Sequence, residues 1–330
     1  MNTPDDSPAS ARSFRYLSRH DIETVGLGMS ELVEVVEAAL VEKAMGRTRM
    51  PAKHWIEFPD RWYDGMSSVV PGIDTAVMKW QSGSPKNAEL GLPYLTGMVF
   101  LNNTTTGLVE AVMDSTWIAQ ERTAAATALT VKHLHPTARN FAMLGCGVQG
   151  HSHLAALQAV MPDLEEVVVF DIDAKAAEDF SRAVDKAGLR AVVVDDAEAA
   201  VRRGEVVVTA GPIQVNAHRT IQPGWLRPGA LAVPIDFDSY WSVEAINEVD
   251  LLVTDDLDQF AHLREDGYFL NCRRPDSDLG AIACAQQRGR ENSGDRIMSI
   301  NMGVSVEDAT TARRILTRAR ELGIGRELPL

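Results

Sequence analysis

The stretch MLGCGVQGHSH at residues 143–153 sets Gly145, Gly147 and Gly150 between an apolar run and a helix-like run. Glycines at this G-x-G-x-x-G spacing provide a tight turn, close approach of the backbone to a pyrophosphate, and close packing of helix on strand. The helix that follows presents unpaired N–H groups and the positive end of its dipole to a diphosphate. Asp171 ends the next apolar run, about 20 positions after the last glycine, where a carboxylate accepts hydrogen bonds from an adenosine ribose. That carboxylate repels a 2′-phosphate, and no arginine follows it in FDIDAK, so NAD(H) is expected over NADP(H). Val148 and Gln149 at the helix start, with Thr123 in an upstream helix, complete the expected cofactor-binding set.

A dinucleotide loop does not name a reaction, so the chemistry must be sought in the other charged residues. Lys79 interrupts the apolar run AVMKWQ, either as an edge or snorkelling side chain or as a functional cation. Arg122 lies in the alanine-rich QERTAAATAL, where tight packing obliges it to find an anion, internal or substrate. Asp236 follows the apolar run ALAVPI at a strand's carboxyl end, where doubly wound folds keep their ligands; the alternative is a turn or helix cap.

Around these residues the chain changes texture. Apolar positions recur at helical spacing over residues 30–45, with Ser30 as a cap, and residues 49–112 read as β-rich with turns at Asn102, Asn103 and Gly107. A helix is expected over 115–133, closed by Pro136. Strand-like and helix-like runs then alternate to about Asp255, with strands apolar enough to be covered on both faces. This is an α/β pattern with a doubly wound parallel sheet. A Gly- and Arg-rich stretch follows, and a helix closes the chain.

Composition bounds the function. With 45% hydrophobic residues in 330, the chain can bury a full core, and its length favours two domains. A net charge of −14 argues against nucleic acid and anionic membranes, and no apolar run is long enough for a membrane span. The polar N-terminus has no signal-peptide layout, and Cys146, Cys272 and Cys284 form no C-x-x-C pair, so a reducing cytoplasm is expected. His151 and His153 form an H-x-H without a ligand at metal spacing, and no metal is expected.

The succession RMPAK, MKWQSGSPKN, GLPYLTGMVFLN, AVMDSTWIAQERTAAATAL, GCGVQG and PGALAVPID resembles the ornithine cyclodeaminase and mu-crystallin family, from about residue 17 to the end. The family includes archaeal-type alanine dehydrogenases and cyclic ketimine reductases. The resemblance implies a Rossmann-type domain at residues 119–302, inserted into an α+β substrate-binding and dimerisation domain at 15–118 plus 303–330; the polar residues 1–14 before it are expected to be a disordered tail. It implies that Lys79 and Arg122 meet the substrate carboxylate, with Lys53 where many members have arginine, and that Lys79 and Asp236 are catalytic. Asp236 would exchange protons with the amine or with water. Ser84, Pro85 and Asn87 match a supporting turn.

Two segments depart from the family pattern. Pro234, Ile235 and Asp236 replace G-A-D, which makes Asp238 a rival proton shuttle, and Ser299, Ile300, Asn301, Met302 and Gly303 replace F-D-S-T-G beside the substrate. The resemblance therefore implies a homodimeric oxidoreductase that uses NAD(H) at the C–N bond of a small amino or imino acid. Alternatives within the family are a cyclodeaminase that recycles NAD and a mu-crystallin-like binding protein without turnover.

Overall fold

The computed structural model describes residues 13–214 and 217–330. The expected tail thus lies outside the described residues as far as residue 12, while Ser13 and Phe14 are already in a strand.

The chain builds two sheets. The first holds seven strands, β1 (Ser13–Leu17), β2 (His54–Phe58), β3 (Arg61–Val70), β4 (Thr75–Gly83), β5 (Leu95–Asn102), β6 (Val109–Asp114) and the last strand, β15 (Arg326–Pro329), in the order β15-β1-β6-β5-β4-β3-β2. Strands β2 to β6 form an antiparallel meander, with Gly107 at φ +74° in the β5–β6 turn. Lys79 on β4 lies opposite Met66 and Val99, so it shares their inward face and has strands on both sides. It is fully buried, which removes the edge and snorkelling alternatives.

The second sheet holds β7 (Asn140–Leu144), β8 (Glu166–Phe170), β9 (Arg190–Val193), β10 (Val206–Thr209), β11 (Leu231–Pro234), β12 (Leu251–Thr254), β13 (Ser277–Asp278) and β14 (Ile297–Ile300). All its pairings are parallel, in the order β13-β12-β14-β11-β10-β7-β8-β9. The order reverses between β7 and β10, which opens the crevice where such folds bind ligands.

The sheet does not stop near Asp255 as the alternation suggests: β14 slots between β11 and β12, and β13 forms the edge. Four-residue and two-residue strands inside a Gly- and Arg-rich stretch leave too short a run for periodicity to register. Nor does the closing helix end the chain, because the exposed β15 pairs with β1.

The described residues also hold ten α-helices: α1 (Arg19–Val25), α2 (Met29–Ala44), α3 (Thr116–Leu134), α4 (Val148–Val160), α5 (Ala174–Lys186), α6 (Ala197–Arg203), α7 (Val243–Asn247), α8 (Leu257–Glu265), α9 (Leu279–Ala283) and α10 (Ser305–Leu322). Gly28 rather than Ser30 caps α2, and it does so without a side-chain bond. Two helices tie the sheets together. The alanine-rich α3 packs on α2, α4 and α10, and its small residues at 124–126 and 128 are almost wholly buried. The long α10 leaves the carboxyl end of β14 and crosses the inward face of β3 and β4.

Candidate active site

The glycine loop sits at the crevice. Gly145 ends β7 at φ +100°, and a Cβ there would lie 2.7 Å from the carbonyl oxygen of Ala210, so only glycine fits. At Gly150 a Cβ would meet the Gly145 carbonyl at 3.3 Å, which records the close helix–strand approach. At Gly147, the N-cap of α4, a Cβ would meet nothing within 4 Å: here the backbone faces open space at a helix N-terminus. Gln149 Oε1 is buried without a partner. Asp171 accepts from the Cys146 N–H at 2.7 Å and the Asp173 N–H at 2.9 Å, which fixes its carboxylate beside the loop and leaves lone pairs for another donor. Val148 and Ile172 are exposed, the latter almost completely. Thr123 sits one helix away, its hydroxyl donating to the Ala119 carbonyl at 2.7 Å.

The histidines and Cys146 serve packing. His153 is buried between the Gln149 carbonyl and Thr127 Oγ1, and burial lowers its pKa to about 4. His151 meets the Phe180 ring edge-on, and burial pushes the Cys146 thiol up to about 12.

The second half of the site is a cluster of buried charges. Lys79 Nζ lies 2.8 Å from Asp308 Oδ2, and Arg122 places Nη1 2.9 Å from Glu307 Oε2 and Nε 3.3 Å from Asp308 Oδ1. Arg122 thus has its anion within the chain. Lys53 donates to the Met302 carbonyl at 2.6 Å, and its Nζ lies 5.1 Å from the centre of the Phe237 ring. Burial pulls Lys53 down to about 8, opposed by Asp64 and Asp255.

The departed segment at 299–303 meets two of these cations, Lys53 at Met302 and Arg122 at Gly303. Gly303 takes φ +79°, its N–H donates to Asp255 Oδ2 at 2.6 Å, and a Cβ there would lie 2.4 Å from Arg122 Nη1. Its carbonyl accepts from Gln259 Nε2 at 2.9 Å.

Asp236 lies just beyond β11 and is fully buried. Its Oδ1 accepts from the Thr209 hydroxyl at 2.7 Å and its Oδ2 from the Gly211 N–H at 2.9 Å. Trp241 Nε1–H donates to the same Thr209 oxygen at 3.2 Å, which commits the hydroxyl proton to Asp236. Both donors favour the anion, yet burial outweighs them and raises the carboxyl to about 7, a value matched to proton transfer near neutrality. It is held in place by hydrogen bonds rather than acting as a helix cap. Asp238 is engaged instead in an ion pair with Arg219, so the two neighbouring aspartates differ in kind. Between them, Phe237 adopts φ +60°, a strained conformation for an aromatic residue, and sets its ring beneath Lys53.

A cavity of about 370 Å³ opens alongside, lined by Lys53, Trp55, Glu57, Phe237, His262 and Tyr268 among others. Asp64, Asp255, Glu307 and Asp308 went unread in the sequence. Acids in the first turn of a helix normally complement its dipole at the surface, and only the small residues after Glu307 and Asp308, in VEDATTA, hint that this turn is buried.

The profile of the ornithine cyclodeaminase/mu-crystallin family matches residues 15–323. The chain belongs to this family. It is 33% identical over 320 residues to the nodulation efficiency protein NfeD of Rhizobium meliloti, covering 94% of this chain and 97% of that protein. Among solved structures, an archaeal alanine dehydrogenase dimer with bound NAD superposes with a TM-score of 0.85 at 26% identity, covering 97% of this chain and 100% of the other. The Δ1-pyrroline-2-carboxylate reductase of Thermococcus litoralis, in complex with NADH and L-proline, gives 0.83 at 26% identity, with 96% and 100% covered. Family members similar to this chain along its length thus include dehydrogenases and reductases of amino and imino acids.

Proposed function

We propose that the protein is an NAD(H)-dependent oxidoreductase acting at the C–N bond of a small amino or imino acid. The observation that carries this reading is Asp236: a buried carboxyl balanced near neutrality, one residue from the aromatic ring that supports Lys53. A proton-exchanging group and carboxylate-binding cations therefore share one site at the crevice of the parallel sheet.

The loop fits a dinucleotide. The open backbone at Gly147 suits a pyrophosphate, Asp171 suits a ribose without a 2′-phosphate, and exposed Val148 and Ile172 offer apolar flanks. Gln149 lies beside Gly147 and Thr123 on the facing helix α3, both placed to complete that cradle. When bound, the nicotinamide supplies or accepts a hydride at the substrate α-carbon.

This chain's residues do the rest. Arg122, Lys79 and Lys53 hold the substrate carboxylate and so orient the α-carbon. Asp236 protonates the imine nitrogen as it becomes an amine, and in the opposite direction accepts the proton. Thr209 and the Gly211 N–H hold the carboxylate produced when Asp236 gives up its proton. Asp238 is tied up in its ion pair with Arg219, which leaves Asp236 as the carboxyl placed to exchange the proton. The neighbouring cavity gives the substrate side chain room.

The reading includes a homodimer. The outward face of the first sheet exposes Ile56, Phe58, Trp80 and Phe100, and Tyr63 stacks on Trp80 at 5.9 Å between ring centres, a patch suited to a second copy. A monomeric sedimentation mass would remove that part.

The test follows NADH absorbance with cyclic imino acids, and with 2-oxo acids plus ammonia or methylamine. Oxidation with one class supports the reading and names the substrate. Release of ammonia from a diamino acid without NADH accumulation would replace it with cyclodeamination.

A further inference from the structure

The buried cluster already holds more acid than base. Lys53, Lys79 and Arg122 face Asp64, Asp255, Glu307 and Asp308, and each of the seven is more than nine-tenths buried. Three cations against four carboxylates leave one anion in excess before any substrate carboxylate arrives. A second uncompensated anion at this depth is strongly disfavoured, so the cluster must shed a negative charge when the carboxylate enters.

The four carboxylates are not equally able to do so. Asp308 lies against both Lys79 and Arg122, and although burial raises Asp255 to about 6, the Gly303 N–H and Lys53 favour its charged form. Glu307 has one cation, Arg122, the residue the substrate also needs, and its Oε1 is buried without a partner. Its remaining neighbours are Asp255 beyond β12 and Asp308 on α10, both of which disfavour its charge, and the Val304 N–H at 3.5 Å. Asp64 on β3 is the rival: burial raises it too, but Lys79 and Lys53 oppose that rise and it makes no contact with Arg122 comparable to that of Glu307.

Resting on the reading of the site given above, we propose that Glu307 is a resident occupant of the carboxylate clamp, displaced from Arg122 by the substrate carboxylate and neutralised by one proton taken from solvent. No charge is then gained by the cluster: one carboxylate enters and another is protonated. Glu307 is a positioning residue, acting on substrate through Arg122. It makes substrate affinity proton-linked at a site separate from the proton that Asp236 transfers.

Calorimetry of L-proline and L-alanine binding to the full chain with NADH, in buffers of different ionisation heat, tests this directly. Near pH 8 the wild type should take up close to one proton per site more than Glu307→Gln, and its affinity should fall about tenfold per pH unit above about 7. In Glu307→Gln the pH dependence should shrink to what Asp236 and Lys53 contribute, and Asp64→Asn should keep the uptake. Asp236 titrates in both proteins, so the difference isolates Glu307.

Equal uptake in wild type and Glu307→Gln, or its loss in Asp64→Asn instead, would overturn the inference while leaving the proposed function standing. Should neither ligand bind, the proposed function is at fault. The inference then rests on infrared difference spectra between pH 6 and 8.5: Glu307→Gln should remove one protonated carboxyl band and leave that of Asp236, and a spectrum unchanged by the substitution overturns it.

Discussion

The two halves of the site are built from different materials. The nucleotide side is local and open: a glycine loop, a helix end and Asp171, all between β7 and α5, with backbone facing space at Gly147. The proposed substrate side is dispersed and closed, since Lys53, Lys79, Arg122, Asp236 and Glu307 come from distant parts of the chain and are all buried. Open backbone can cradle a phosphate at little cost to the fold. Buried charges must first satisfy one another, so changes there should disturb stability and activity together.

The largest effect should follow Arg122→Ala, which leaves Glu307 without its cation and Asp308 with Lys79 alone. Removing one partner of a buried ion pair costs about 3–5 kcal/mol, so chemical denaturation should show a large loss together with loss of turnover. Asp236→Asn separates the two properties. Turnover should drop about 10²–10⁴-fold for want of the acid. Stability at pH 8 should instead rise, because a carboxyl held near 7 in the folded chain and near 4 unfolded binds more protons when folded, and that stability is lost as pH climbs through the interval.

Gly303→Ala should act next, since a Cβ 2.4 Å from Arg122 Nη1 displaces the guanidinium. About 1–3 kcal/mol of overpacking should appear, mainly as a raised KM for the amino acid with cofactor binding intact. The smallest effect is expected on the open side. Asp171→Asn should weaken NADH binding by about 1–2 kcal/mol in fluorescence titration and leave the melting temperature nearly unchanged, which would confirm that this half carries little of the fold.

The same contrast explains what could be read in the sequence. The glycine loop and Asp171 were legible because their spacing is contained in one βαβ unit. Lys79, Arg122 and Asp236 stood out because a charge in an apolar or alanine-rich run is conspicuous, and the family resemblance supplied the roles proposed for them. The partners were not. Glu307 and Asp308 look like ordinary helix-start acids, Asp64 and Asp255 like strand and turn residues, and the Met302 carbonyl has no side-chain signature at all. Each gains its role only when α10 crosses the first sheet and β14 enters the second between β11 and β12. That insertion was itself hidden, because IMSI is four residues long.

The most direct measurement is the pH profile of imine reduction by NADH, using whichever imino acid the absorbance panel selects, in wild type and Asp236→Asn. Asp236 must be protonated to deliver its proton, so kcat should be level below about 7 and fall about tenfold per pH unit above it, with the oxidative direction rising over the same range. Asp236→Asn should be slow and flat. A wild-type profile that persists unchanged in Asp236→Asn would contradict the assignment of the proton to this carboxyl.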